Sequence, residues 1–209
     1  VLMAVAAMWL ALRTISWKEL NQFEWNGSLF WLLPALLFFN ISQIISAYRL
    51  LQFYKIYQPG ISYPFNLRLY YKGMFYNLFL PGGIGGDAYK IIALKNSGNT
   101  YKQLTTATLL DRVNGLVILL LIISLLTAFV VVPGFEKFLS LLPYFVLIGL
   151  PCYILIIYYY FKPFSKILPI TGFLSLLVQG FQLFSFYCII YALQIDAGSF
   201  IQYAVLFFV

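Results

Sequence analysis

The sequence lacks histidine entirely and is poor in acidic residues. Of its 209 residues, 6 are Asp or Glu, and only 9% carry a charge. Histidine is the commonest acid/base group near neutral pH and a frequent metal ligand, so its absence removes the usual basis of hydrolytic or metal-dependent catalysis. The residues indicate no cofactor, no metal site and no catalytic constellation.

Cysteine is also scarce. Cys152 and Cys188 both lie in apolar runs, where cysteine ordinarily acts as a small hydrophobic side chain. Neither a disulfide nor a metal-ligand role is indicated.

Apolar residues dominate the chain. It is 63% hydrophobic and 20% aromatic, with a mean hydropathy of +0.90, whereas about a quarter of the residues in soluble domains are charged. This composition predicts an all-α, polytopic helical membrane protein. The net charge of +7 comes from basic residues clustered in a few loops, which suits anionic lipid headgroups at the inner cell membrane better than nucleic acid.

Four apolar runs are long enough to cross a bilayer, which needs about 20 residues. They cover residues 30–54, 107–132, 142–161 and 170–193. Shorter runs at residues 1–12 and 200–209 predict partial spans. We therefore expect a single transmembrane domain over residues 1–209, a fragment truncated at both ends.

Residues 67–94 differ from the other apolar runs. Their apolar pieces, 67–80 and 88–94, are each too short to cross, and a Pro/Gly-rich stretch separates them. Proline lacks a backbone donor and glycine disfavours helix, so we expect non-helical backbone from Pro81 to Lys90. Lipid cannot satisfy such backbone, which must contact protein or a hydrated cavity. The pattern predicts a re-entrant hairpin at residues 67–94.

The distribution of basic residues favours that topology. A re-entrant hairpin places nine lysines and arginines on one side and three on the other, with Arg49 joining the larger set, whereas a single crossing gives eight and four. Because basic residues concentrate on the cytoplasmic side, the re-entrant arrangement sorts them better.

Charges near the hydrocarbon are the strongest site candidates. An ionised side chain there costs at least about 2 kcal/mol unless it is paired or hydrated. Neighbouring helical residues point about 100° apart, so Asp111 and Arg112 are not expected to pair with each other. We expect Arg112 to pair with Asp87, and Asp87 to share a helix face with Lys90.

Structural roles remain open for the same residues. Asp87 at a helix start is also typical of a cap, and Asp111 with Arg112 is also typical of a snorkelling pair at a span end. Lys90, like Lys95 and Lys102, is expected on a solvated face, with ligand contact as the alternative.

A polar stripe marks the first long span. Asn40, Gln43 and Arg49 fall on one face of the predicted helix. Interhelical hydrogen bonding and cavity lining both remain open for this stripe.

A resemblance to a known family rests on eight residues: Asn77, Pro81, Gly85, Gly86, Asp87, Lys90, Asp111 and Arg112. The pattern resembles the lysylphosphatidylglycerol synthase transmembrane-region family, also known as the flippase-like domain family, over roughly residues 30–135. The family includes the flippase half of the bacterial multiple-peptide-resistance factor. Its members commonly carry Arg at Lys90 and Glu at Asp111, and lysine lacks the planar fork of arginine for bidentate phosphate binding.

The resemblance implies movement of an amphiphilic lipid, or a lipid-linked headgroup, between leaflets. The partner would be an anionic or aminoacylated phospholipid or a lipid-linked sugar, and a homo-oligomer or a separate synthase partner stays open. Free N–H groups in residues 82–86 and the following helix N-terminus would attract an anion. The candidate substrate-binding residues are Asp87, Lys90, Asp111, Arg112, Gly85, Gly86, Asn77 and Arg49.

The alternative is a membrane-embedded transferase that uses a lipid-linked aminoacyl or sugar donor. Without histidine, its acid/base group would be one of four carboxylates: Asp87, Asp111, Glu19 or Glu24. The glycine stretch is not a nucleotide P-loop, because Asp87 stands where that motif needs a Gly-Lys-Ser/Thr ending.

Overall fold

The computed structural model describes residues 9, 13, 27–77, 84–95, 98–127, 136–194, 204 and 207. The partial spans predicted at 1–12 and 200–209 lie outside the described residues except at Trp9, Ala204 and Phe207. Residues 78–83, including Pro81, also lie outside them.

Every regular element in the described part of the chain is helical, which confirms the all-α prediction. In those residues a short 3-10 turn precedes seven α-helices: Gly27–Trp31, then α1 Leu32–Lys55, α2 Tyr63–Asn77, α3 Ile84–Lys95, α4 Tyr101–Leu126, α5 Glu136–Tyr160, α6 Lys162–Ser165 and α7 Leu168–Ala192.

Four helical segments are long and apolar enough to cross a membrane. They are Leu29–Lys55, Tyr101–Leu126, Leu139–Tyr160 and Leu168–Ala192. They match the four predicted spans, and the chain is a multi-pass membrane protein.

Helix α4 begins before the apolar run that predicted it. The Thr100 hydroxyl accepts a hydrogen bond from the Gln103 N–H, and the Gln103 side chain accepts one from the Thr100 N–H. This capping box satisfies the first-turn donors and starts the helix six residues ahead of position 107. Asp111 and Arg112 consequently lie about three turns inside α4.

Helices α1 and α7 are antiparallel neighbours. The Ser185 hydroxyl donates to the Ala35 carbonyl at 2.8 Å, and the Phe38 and Phe181 rings stack 6.0 Å apart. At the opposite end of α1, Phe53 stacks on Phe164 of α6, also at 6.0 Å. Small and aromatic side chains thus join α1 to α7 at one end and to α6 at the other.

Helices α1 and α4 are antiparallel as well. Tyr54 of α1 hydrogen-bonds Thr108 of α4 at 2.8 Å. About one helical turn further along α4, Asp111 contacts Arg49 at 2.8 Å. The end of α1 and the start of α4 therefore lie at the same end of the bundle. The loops that flank α2 and α3 also meet there, because Asn99 donates to the Gln58 side chain at 2.6 Å.

Helices α2 and α3 form a closely packed pair. The carbonyl of Gly73 lies where a side chain at Gly86 would be, so only glycine permits this approach. The Asn77 side-chain oxygen accepts the Gly86 N–H at 2.7 Å, which satisfies a first-turn donor and allows α3 to begin at Ile84. The prediction of non-helical backbone up to Lys90 is therefore wrong from Ile84 onward.

Candidate functional site

Asp87 is the centre of an ion triad. It lies in the first turn of α3, and its Oδ1 contacts the Lys90 Nζ at 2.8 Å, while its Oδ2 contacts the Arg112 Nε of α4. The predicted pairing of Asp87 with Arg112 is confirmed, and so is the shared face of Asp87 and Lys90. The 3.6-residue helical period places Lys90 over Asp87, and the packing of α3 on α4 supplies Arg112.

The two cations of the triad differ in exposure. Lys90 is buried at 8% exposure, and its Nζ lies 5.2 Å from the centre of the Tyr70 ring. A solvated face for Lys90 is therefore wrong, whereas Lys95 and Lys102 are exposed as expected. The Arg112 side chain is 46% exposed, which makes it the accessible cation of the triad.

A second ion pair is buried beside the triad. The Arg49 guanidinium contacts both carboxylate oxygens of Asp111, with Nε–Oδ1 at 2.8 Å and Nη2–Oδ2 at 3.2 Å. This bidentate geometry is the strong form of an arginine–carboxylate contact. Asp111 thus pairs with Arg49 of α1. The helical geometry predicted only that Asp111 would not pair with its neighbour Arg112.

A hydrogen-bonded chain extends the buried pair toward α5 and α7. Arg49 Nη1 donates to the Ser175 hydroxyl at 2.9 Å, and Asn114 donates to the same hydroxyl at 3.1 Å. The Tyr153 hydroxyl in turn donates to the Asn114 side-chain oxygen at 3.3 Å. Sequence reasoning missed Ser175 and Tyr153, because a single polar residue in an apolar helix gives no signal of its partner.

The polar stripe of α1 proves to be interhelical. The Asn40 side-chain oxygen accepts from the Tyr71 hydroxyl at 3.2 Å, and Gln43 accepts from the Tyr70 hydroxyl at 3.5 Å. Arg49 serves both of the roles left open, since it bonds across helices and also lines a cavity.

A polar cavity of about 150 Å³ lies among α1, α2, α3 and α4. Its lining residues are Arg49, Tyr70, Gly73, Met74, Asn77, Asp87, Lys90, Thr108, Asp111 and Arg112. Six of the eight candidate site residues are in this set. The volume equals that of about five water molecules, which is enough for a phosphate-sized group but not for a whole lipid.

An apolar groove of about 300 Å³ adjoins the polar cavity between α3 and α4. Ile84, Ala88, Ile91, Thr105 and Leu109 line only the groove, and both spaces share Asp87, Thr108 and Arg112. A charged pocket therefore opens beside a surface suited to an alkyl chain.

The remaining candidates take other positions. Gly85 and Gly86 are buried in the first turn of α3, and the Gly86 N–H is engaged by Asn77. The expectation that this N–H is free for a ligand is wrong. Glu19 and Glu24, the two loop carboxylates of the transferase alternative, lie outside the described residues.

Together, the fold and the site define a multi-pass helical membrane protein with an ion-paired polar cavity beside an apolar groove. The model of the family described as "Lysylphosphatidylglycerol synthase TM region" matches residues 1–168, and the chain belongs to this family. No curated protein and no solved structure matches the chain. Family membership confirms the predicted resemblance and supports a membrane lipid-related function with a lipid partner.

Proposed function

We propose that the protein moves an amphiphilic lipid, or a lipid-linked headgroup, between the leaflets of the inner cell membrane. The observation that carries the proposal is the junction of the polar cavity with the apolar groove at Asp87, Thr108 and Arg112. An amphiphile needs both environments side by side, since its headgroup requires polar partners and its chain requires apolar contact.

The triad supplies a means of receiving an anionic headgroup. Asp87 uses one oxygen for Lys90 and the other for Arg112. When a lipid phosphate binds Arg112 in place of Asp87, Asp87 keeps its contact with Lys90. The carboxylate is therefore not left without a counter-charge. In an aminoacylated lipid, the released oxygen of Asp87 becomes an acceptor for the cationic amine.

We assign supporting roles to the other candidate residues. Arg49 and Asp111 form the buried wall of the cavity, where they hold α1 against α4. Asn77, Gly85 and Gly86 fix the start of α3 and so the position of Asp87. Removal of these residues would displace the triad rather than delete a headgroup contact.

A re-entrant hairpin, formed by α2 and α3, is part of the proposal. The end of α1 and the start of α4 lie at one end of the bundle, and the flanking loops are joined by Asn99 and Gln58. These contacts support a hairpin that enters and leaves on one side. Helices whose ends converge within the membrane are how many transporters build a substrate site.

The test is to replace Asp87 with Ala and Arg112 with Ala, separately, and to measure display of the lipid in the outer leaflet of cells. Lys102→Ala is a matched control. Lys102 is an exposed cation at the start of α4, the helix that carries Arg112, and it lines neither the cavity nor the groove. We expect both site variants to lose display while the control keeps it.

Unchanged display in both site variants, at normal protein levels, would reject the proposal.

Incubation of the purified protein with a labelled donor lipid tests the transferase alternative. A new covalent product would favour a transferase, whereas redistribution of an unaltered lipid supports a flippase. Both carboxylates that line the cavity are ion-paired, an arrangement that suits binding better than proton transfer.

A further inference from the structure

A second groove lies on the other surface of the α2–α3 pair. It has a volume of about 450 Å³, and its lining residues are Phe65, Arg68, Leu69, Lys72, Tyr89 and Ala93. None of these residues lines the polar cavity or the apolar groove described above. The space is therefore separate from the central site.

Two cations, Arg68 and Lys72, define the charge of this groove. Arg68 and Lys72 are exposed and lie one helical turn apart on α2, so their charges project to the same side. Asp87 is held by Lys90 and Arg112, and Asp111 is held by Arg49. Among the residues that the structure describes, no carboxylate lies within 4.0 Å of Arg68 or Lys72.

The position of α2 favours an anionic partner for these two cations. Asn66 donates to the Ala47 carbonyl at 2.6 Å, and Tyr71 donates to Asn40 at 3.2 Å, so α2 packs against the middle of the spanning helix α1. Cations carried at that level are costly unless they reach water or meet an anion. A lipid phosphate at the headgroup level supplies that anion, and the side chains of Arg68 and Lys72 are long enough to extend toward that level.

We propose that this groove binds an anionic phospholipid at a site distinct from the central cavity. Arg68 and Lys72 hold the phosphate, and an acyl chain follows the apolar surface of Phe65 and Ala93. The Tyr89 ring, stacked on Tyr76 at 4.4 Å between centroids, forms a rigid wall. Basic pockets between helices are the recognised form of anionic-lipid sites, and the apolar lining favours a lipid over free phosphate.

The test measures binding of phosphatidylglycerol to the purified protein by native mass spectrometry, with phosphatidylcholine of the same chains as the neutral comparison. We expect the double variant Arg68→Gln, Lys72→Gln to bind phosphatidylglycerol about 30-fold more weakly at one site, from the usual contribution of two cations near an anionic group. The matched control, Lys102→Gln with Lys162→Gln, removes two exposed cations outside the groove and should bind as the wild type does.

Two further measurements distinguish binding in this groove from a general attraction of basic residues for anionic lipid. Ala93→Phe fills the groove with both charges intact, and we expect it to weaken binding as well. Excess inorganic phosphate should not displace the lipid. Equal losses in the control double variant, full binding by Ala93→Phe, or displacement by phosphate would each overturn the proposal.

The central site is tested separately. In an Arg112→Ala background, the further change Arg68→Gln, Lys72→Gln should remove the same binding event that it removes from the wild type, because Arg112 does not line the groove. No further loss when Arg68→Gln, Lys72→Gln is added to Arg112→Ala would contradict a separate site, whatever the outcome for lipid movement.

Discussion

At the scale of single residues, Asp111 and Arg112 show how position on a helix separates structure from ligand binding. They are neighbours in sequence, yet Asp111 points to Arg49 in the interior, with 10% of its side chain exposed, and Arg112 reaches Asp87 with 46% exposed. We therefore propose that Asp111 stabilises the fold and that Arg112 contacts the lipid headgroup.

Stability should respond very differently to substitution at these two positions. Asp111→Asn leaves the Arg49 guanidinium buried without its counter-charge, and loss of one partner of a buried pair costs about 3–5 kcal/mol. Arg112→Gln breaks a half-exposed contact worth about 1 kcal/mol or less, and Asp87 keeps Lys90. Unfolding of the purified variants in detergent checks this, and equal losses of stability would contradict the assignment.

The charged residues also show what a sequence reveals at this scale. The pairing of Asp87 with Arg112 was predictable, because charges in an apolar chain must find partners and helical geometry excluded the adjacent Asp111. The pairing of Arg49 with Asp111 was not, since several acids were available to Arg49. Ser175 and Tyr153 give no sequence signal, because their role depends on contacts between helices far apart in the chain.

At the scale of helices, the contact of Gly73 with Gly86 sets the geometry of the α2–α3 pair. A side chain at Gly86 would meet both the Gly73 carbonyl and the Asn77 side-chain oxygen. The Gly73 carbonyl is backbone and cannot turn aside, so the helices themselves would have to separate. The triad depends on this contact, because Asp87 follows Gly86 directly.

We expect Gly86→Ala to destabilise the protein by about 1–3 kcal/mol, the usual cost of forcing extra volume into a packed contact. Gly180→Ala is the control, because Gly180 lies inside α7 and a methyl group there would meet no neighbouring atom within 4 Å. That change should be neutral or slightly stabilising, since alanine favours helix over glycine.

Thermal unfolding of both glycine variants in the same detergent gives the comparison. Similar stability of Gly86→Ala and the wild type would show that the two helices do not approach as described.

Helix boundaries were less predictable than the helices themselves. Hydropathy and length identified all four spans, because a bilayer crossing demands a long apolar run. Helix α4 starts earlier than its apolar run, because a capping box of polar residues begins the helix. Hydropathy does not detect polar residues of this kind. The start of α3 at Ile84 depends on the distant Asn77 side chain, whereas the local glycines alone argue against helix.

At the scale of the whole molecule, the order of helices and the sorting of basic residues favour one topology. The antiparallel packing of α1 with α4 brings the two ends of the α2–α3 segment together. In the proposed re-entrant arrangement, the positive charges of the intervening residues would collect on one side of the membrane, which the positive-inside rule assigns to the cytoplasm.

Cysteine labelling tests this topology in a background that lacks Cys152 and Cys188. We expect Gly60→Cys and Lys102→Cys to react from the same side of the membrane, because both exposed positions flank the hairpin. Leu193→Cys should react from the opposite side, since it follows α7, which is antiparallel to α1. Labelling of positions 60 and 102 from opposite sides would exclude the re-entrant arrangement.

We propose that a lipid headgroup passes through the cavity at Asp87 and Arg112. Proteoliposomes with headgroup-labelled phosphatidylglycerol, treated with a membrane-impermeant quencher, measure this movement directly. We predict that the wild type and Lys102→Ala expose the inner-leaflet lipid to the quencher, while Arg112→Ala protects it as protein-free vesicles do. Equal exposure in Arg112→Ala and the wild type, at equal protein incorporation, would contradict passage of the headgroup through this cavity.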